Sequence, residues 1–173
     1  MQLKKLDFEI LSELMKNARS GDREIAKRIG TSQPTVSRRR KKLEDEGLLE
    51  YFAVPALGEI GYQIIALHFV LWNEAGYQSL KEQEDFMERV DAFLSAHPNV
   101  IFASSGSGLG MTRLAIAIHR DYGDYTNFRR DFTAMWSDFV ERFESFIVST
   151  ESDKILRNFT FKHFGQHVCE SNK

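Results

Sequence analysis

Residues 20–47 read SGDREIAKRIGTSQPTVSRRRKKLEDEG, and this stretch decides the fold of the first third of the chain. It predicts two short helices joined at Gly30–Thr31. The first has Ile25, Ala26 and Ile29 at helical spacing, Ser20 or Asp22 as its cap, and Gly30 as its stop. The second starts at Ser32. It tolerates Pro34 in its first turn, where backbone N–H groups have no intrahelical partner, and it turns Val36 and Leu43 inward. Five consecutive cations follow, Arg38, Arg39, Arg40, Lys41 and Lys42. A cationic helix launched from a Gly-containing turn is the sequence form of a helix-turn-helix, whose second helix enters the major groove of DNA.

Charge is unevenly placed. Between Arg19 and Lys42 nine Lys and Arg stand against two Asp and Glu, although the formal net charge of the chain is −2. With Val36 at the centre of the inward face, Thr35, Arg38, Lys41 and Lys42 point away from it at ~100° per residue. Gln33 and Ser37 flank that face near the N-terminal end. Gln33, Thr35, Ser37 and Arg38 are therefore expected to read base edges, because amide and guanidinium groups pair their hydrogen bonds with purines. Arg39, Arg40, Lys41, Lys42 and Arg19 are expected to hold phosphates, which fixes register without reading sequence. A solvated helix face is the competing reading of the cationic run alone. The preceding helix, the turn and the capped start favour DNA.

Working outward, Leu3, Leu6, Ile10, Leu11, Leu14 and Ala18 make an amphipathic first helix, with Asp7 in its first turn near the positive end of the helix dipole. After Gly47 the run Leu48 to Val54 is β-prone and stops at Pro55, which predicts a two-strand wing. Tyr62 to Trp72 reads as a central strand covered on both faces. Phe86, Val90, Phe93 and Leu94 make a helix stopped by His97–Pro98–Asn99. Val100 to Ser105 and Met111 to His119 read as paired strands around the loop SGSGLG. Tyr125, Phe128, Phe132, Met135, Trp136 and Phe139 form a second helical stripe, and Phe143 to Thr150 a last strand. Ile155 to Phe164 alternates and predicts one strand more. The fold class from residues alone is α+β.

Leu6–Asp7, Asn17–Ala18–Arg19, Ile25–Ala26, Gly30–Thr31–Ser32, Arg39, Leu43–Glu44 and Gly47 together resemble the winged helix-turn-helix of the Lrp/AsnC, or feast/famine, regulators. Arg40 departs from the pattern, standing where that family has an aliphatic residue. The resemblance implies a C-terminal ferredoxin-like β-α-β-β-α-β domain of ACT/RAM type that forms homodimers, stacked further into tetramers or octamers, and that takes a small-molecule effector. The domains expected are 1–57 for DNA, 58–165 for dimerisation and effector, and 166–173 as a tail. The effector segment implied is Gly106, Ser107, Gly108, Leu109, Gly110, Met111, Thr112 and Arg113. Arg113 stands near the position where the family has an acid, and favours an anionic ligand or no ligand at all. A plain hairpin connection is the alternative for the glycines.

The single cysteine, Cys169, rules out an intrachain disulfide and fits a reducing compartment. The longest apolar run, Ile64 to Trp72, is interrupted by His68 and is far short of the ~20 residues of a membrane span. No signal core precedes the first helix, so a soluble cytoplasmic protein with no membrane partner is expected. His163, His167 and Cys169 have a ligand-like spacing but no helix signal, and neither metal nor cofactor is expected. His68, His119 and Trp136 read as core, and no acid/base pair suggests catalysis. The function expected is a sequence-specific, double-stranded-DNA-binding transcriptional regulator, not an enzyme. Two readings compete with it. One is a tetrapyrrole enzyme of the sirohaem-decarboxylase type, which has a similar two-domain layout; the other is a stand-alone small-molecule sensor.

Overall fold

The structure, a computed structural model, describes residues 2–73, 80–151, 155–157 and 160–170. The chain forms two compact units, Met1–Val54 with Leu156–Lys173, and Pro55–Ile155. No described helix is long and apolar enough to cross a membrane.

In the first unit α1 (Lys5–Lys16), α2 (Asp22–Ile29) and α3 (Gln33–Asp45) enclose Ile10, Leu14, Ile25, Ala26, Val36 and Leu43. These are among the apolar positions predicted from helical spacing; Ala18, predicted with them, lies beyond the end of α1 and is exposed. Gly30 ends α2 at φ 72°, ψ 36°, a left-handed conformation in which a Cβ is strained, and so turns the chain into α3. The caps differ from expectation. Gly21, not Ser20 or Asp22, is the α2 N-cap, and Ser32 caps α3 without a side-chain bond to its backbone. Asp22 is instead drawn into contacts with α3, and the Ser32 hydroxyl lies 2.8 Å from that of Thr35.

Two further expectations for this unit are corrected. Residues 48–56 form no strand, so the predicted two-strand wing is not formed by this segment. Its Tyr51 hydroxyl is taken up by α3 instead, accepting from Arg40 Nε at 2.7 Å and donating to Glu44 at 2.7 Å. The described part of 155–164 is not a strand either, and the expected tail contains a helix, α6 (Phe164–Glu170). That helix packs on α1, so the C-terminal segment belongs to the first unit. Gly165 makes the contact possible: a Cβ there would meet Ser12 O at 2.9 Å and Met15 Cβ at 3.0 Å. Docking, not propensity, specifies this helix.

The second unit runs β1 (Ile64–Trp72), α4 (Leu80–Ala96), β2 (Val100–Gly108), β3 (Met111–His119), α5 (Tyr122–Trp136) and β4 (Val140–Ser149). Its sheet has the order β2-β3-β1-β4, antiparallel throughout, which is the predicted ferredoxin-like arrangement. Ala66, His68, Val70 and Trp72 of β1 are buried on the helical side, among Phe86 and Phe93 of α4 and Phe128, Phe132 and Trp136 of α5. Met135, predicted in the same stripe, is 47% exposed.

Register defines the other side of the sheet. Ile65, Leu67, Phe69 and Leu71 alternate with the buried set and share a face with Ile118, Ile116 and Leu114 of β3. Phe102 of β2 and Phe146 and Val148 of β4 extend it. Phe102 and Phe146 are 49% and 63% exposed. The expectation of a strand covered on both faces therefore fails within one copy of the chain, because both helices lie on one side.

The loop Ser105–Gly110 is tighter than predicted. β2 continues through Gly108, and only Leu109 and Gly110 turn the chain, at φ 54° and 68°. Two successive left-handed residues are the requirement of a type I′ hairpin. Arg142 fastens this turn by donating to the carbonyls of Leu109 and Gly110, each at 3.1 Å.

Candidate nucleic-acid interface

The α3 helix is anchored by part of its own charge. Arg39 Nε donates to Asp7 Oδ1 at 2.6 Å, and its Nη2 pairs with Oδ2 of the same carboxylate. Asp7 is fully buried and also accepts the backbone N–H of Lys4 at 2.7 Å. Burial alone would raise the Asp7 pKa, but the hydrogen bonds from Arg39 and Lys4 and the Arg39 charge hold it below the usual carboxylate range. One side chain thus closes the start of α1 and fixes the roll of α3.

Arg40 is the second anchor. Its Nη1 donates to Asp22 Oδ1 at 3.1 Å and to the Ser20 carbonyl at 3.3 Å, and its Nε to Glu44 at 3.1 Å. The guanidinium lies over the Tyr51 ring, 5.1 Å from its centroid. Burial and the hydrogen bond to Glu44 push the Tyr51 hydroxyl up to about 12, so it stays a neutral donor within this cluster. Ser37 donates to the other Asp22 oxygen. Arg39, Arg40 and Ser37, all expected at the DNA, therefore have their polar atoms engaged within the domain.

The other expected residues are differently placed. Gln33, Arg38 and Lys41 are exposed on α3 and make no side-chain bond or ion pair among the described residues. Thr35 is half-buried at the first turn. Lys42 is exposed and, among the described residues, reaches only Glu46, at 3.6 Å, a surface pair one turn on. Arg19 is exposed in the α1–α2 connection. Arg23 and Lys27, absent from the expected set, are also exposed on α2. Arg28, by contrast, ties α2 to α1 through Glu13 at 2.9 Å. The sequence signal that separates these classes is the acids: Asp7, Glu13 and Asp22 each claim a cation, and helical phase sets which one.

The segment 106–113 divides in two. Gly106 and Gly108 lie on exposed β2, Leu109 and Gly110 in the turn, and Met111 is buried at the start of β3. Thr112 bridges the sheet, its Oγ1 accepting from Trp72 N at 3.3 Å. Arg113 pairs with Val70 and so faces the helices, half-buried, with its Nη1 on the Thr112 carbonyl at 2.8 Å. His68 and His119 are buried core groups as predicted: burial, with the neighbouring charges of His119 and Arg129, pushes His68 down to about 3. Burial lowers His119 as well, against the opposing pull of Asp124 at 3.7 Å.

A family described as winged helix-turn-helix DNA-binding matches residues 3–50. A helix-turn-helix-type transcriptional regulator of Pyrococcus horikoshii is 43% identical over 68 residues, 39% of this chain and 46% of that protein. The leucine-responsive regulatory protein of Rhizobium meliloti is 34% identical over 86 residues, 49% of this chain and 50% of that one. The chain thus spans about half the length of these curated relatives. Among solved structures, a Neisseria meningitidis transcriptional regulator in complex with L-Met superposes with a TM-score of 0.70 at 24% identity, over 94% of this chain and 99% of that one. At that identity the superposition speaks for the fold.

Proposed function

We propose that the chain is a transcriptional regulator of the Lrp/AsnC type that binds double-stranded DNA sequence-specifically as a homodimer. The observation that carries the reading is the division of labour on α3. Arg39 and Arg40 are turned inward and set the helix, which leaves Gln33, Arg38 and Lys41 exposed and unengaged. In this reading Gln33, Thr35 and Arg38 meet base edges. Arg19, Lys41 and Lys42 meet phosphates, joined by Arg23 and Lys27. Arg39, Arg40 and Ser37 serve binding only by holding the helix.

The open sheet face supports homodimerisation. Ile65, Leu67, Phe69, Ile116 and Phe102 form an apolar surface that a second copy would bury. Contiguous apolar patches of this kind mark association surfaces. A two-fold pair of α3 helices would meet half-sites about 34–36 Å apart or a multiple of it, and further stacking into tetramers or octamers is compatible with that symmetry. The L-Met bound to the Neisseria regulator supports a small-molecule effector here, with the segment Gly106 to Arg113 as its candidate approach. The reading is of a regulator, not an enzyme, working in the cytoplasm beside its DNA.

The test is selection of bound duplexes from a random pool, followed by titration of the selected site with wild type and Arg38→Ala. Enrichment of a two-fold symmetric site, with binding weakened by Arg38→Ala, is expected. Recovery of no common sequence would overturn the reading.

A further inference from the structure

The two flanks of α3 meet different surroundings. With Val36 and Leu43 at the inward centre, ~100° per residue puts Ser37, Arg40 and Glu44 on one flank and Thr35, Arg39 and Lys42 on the other. The first flank is closed by acids. Asp22 takes Ser37 and Arg40, and Glu44 takes Arg40 and Tyr51. A phosphate on that side would approach two carboxylates. On the second flank Arg39 is turned inward to Asp7, and Lys42 stands exposed about one turn further along. Arg38, four residues before Lys42, is its exposed neighbour on the outward side. Glu46, the acid of this flank, lies a turn beyond Lys42, past the end of α3.

Asp7 brings the start of α1 to the second flank. Its carboxylate takes the Arg39 fork from α3 and, at 2.7 Å, the backbone N–H of Lys4, the N-cap of α1. The residue that precedes α1 is therefore held beside the middle of α3. Lys4 is exposed, and its side chain makes no hydrogen bond or ion pair among the described residues. Its ammonium lies on the Asp7 side, where its charge adds to that of Arg39 in holding the Asp7 carboxyl low. Lys5 is exposed as well, but at ~100° per residue it points about 160° away from Asp7 round α1.

We propose that Lys4 is a DNA phosphate contact, which with Lys42 holds the strand that passes along the Arg39 flank of α3. A lysine ammonium is a compact charge on a flexible stem, suited to a phosphate and not to reading bases. Asp7 then has two uses. Through Arg39 it sets the roll of α3, and through the Lys4 backbone it sets where a cation from α1 stands beside that helix. The inference rests on the reading of α3 as the DNA-contacting helix and adds which of its flanks meets the backbone.

The test is anisotropy of the full chain on its selected duplex across salt. Lys4→Ala should make the log–log slope shallower by about 0.9 in each subunit, and Lys4→Arg should keep the wild-type slope. Lys5→Ala and Lys16→Ala are the controls. Lys16 lies at the far end of α1, paired with Glu13 at 2.8 Å, and both variants should keep the wild-type slope. The urea midpoint of Lys4→Ala should equal that of wild type, because the fold uses only the backbone of this residue. Neutralising phosphates one at a time as methylphosphonates should then find one position in each half-site that weakens wild type and leaves Lys4→Ala unaffected. A wild-type slope in Lys4→Ala, an equal change in Lys5→Ala, or no phosphate felt by wild type alone would each overturn the proposal. Wild-type binding is measured first, so failure of the DNA-binding reading shows there, and failure of this inference shows only between variants.

Discussion

Asp7 and Arg39 show how a residue that looks like a DNA contact becomes part of the scaffold. A carboxylate with no exposed surface needs its charge met, and the Arg39 fork meets both oxygens. Removing one partner strands the other, so Asp7→Ala should destabilise the first unit by about 3 kcal/mol in urea unfolding. Replacing Asp7 and Arg39 together by Leu should cost much less. If the single and double variants lose the same stability, the pair is not the anchor described. Arg38 predicts the opposite pattern. Arg38→Ala should leave unfolding unchanged while weakening a selected duplex by about 1–3 kcal/mol, and should relax preference at one base position. Equal losses across all duplexes would make it a phosphate contact instead. In the sequence these two arginines are neighbours of one run; only the positions of the acids one helix away distinguish them.

At the scale of the element, legibility followed periodicity. The stripes of α1, α5 and α4 could be read because each buries a continuous apolar face. The hairpin was legible as a turn, but Leu109, not a glycine, occupies its first left-handed position, so strand β2 was read too short. The missing wing and the unforeseen α6 share a cause: neither segment carries its own period, and both are placed by contacts distant in sequence. Gly165→Val should therefore undock α6, seen as early proteolysis and fast amide exchange over 164–170 with α2 and α3 still protected. Unchanged protection would show that the close approach to Ser12 is not required. Within the sheet, the buried histidines make a pH prediction. Their folded pKa values lie below 6.5, His68 down to about 3, so the unfolded chain binds protons that the folded chain refuses. Their stabilising contribution is complete above pH 6.5 and is lost as pH falls toward 3, by up to about 1.4 kcal/mol per pH unit per proton. His68→Phe should flatten that slope; an unchanged slope would contradict it.

For the whole molecule, the open face of the sheet is the feature the fold leaves unresolved in one copy of the chain. Phe69 and Leu114 are partners in register, on neighbouring strands of the face without helices. On the dimer reading Phe69→Arg should yield monomers in sedimentation at micromolar concentration, with the helical side of the unit still folded by circular dichroism. A dimer that persists would place the interface elsewhere. Monomers should also bind DNA far more weakly, because two linked half-sites gain from effective concentration. Function at this scale was legible as a class, a helix offered to DNA. The open face was not, because an apolar run that suits a strand covered on both sides does not say that one face stays bare in a single copy.

On the proposed reading α3 meets DNA with its outward side chains while its inward arginines hold it in place. The most direct measurement is fluorescence anisotropy of a selected duplex across salt, for wild type and for Lys41→Ala. The affinity should fall linearly on a log–log plot, with a slope near −0.9 per phosphate contacted, and the slope should be shallower by about one contact in each subunit in Lys41→Ala. Binding indifferent to salt, or a variant slope equal to that of wild type, would contradict it.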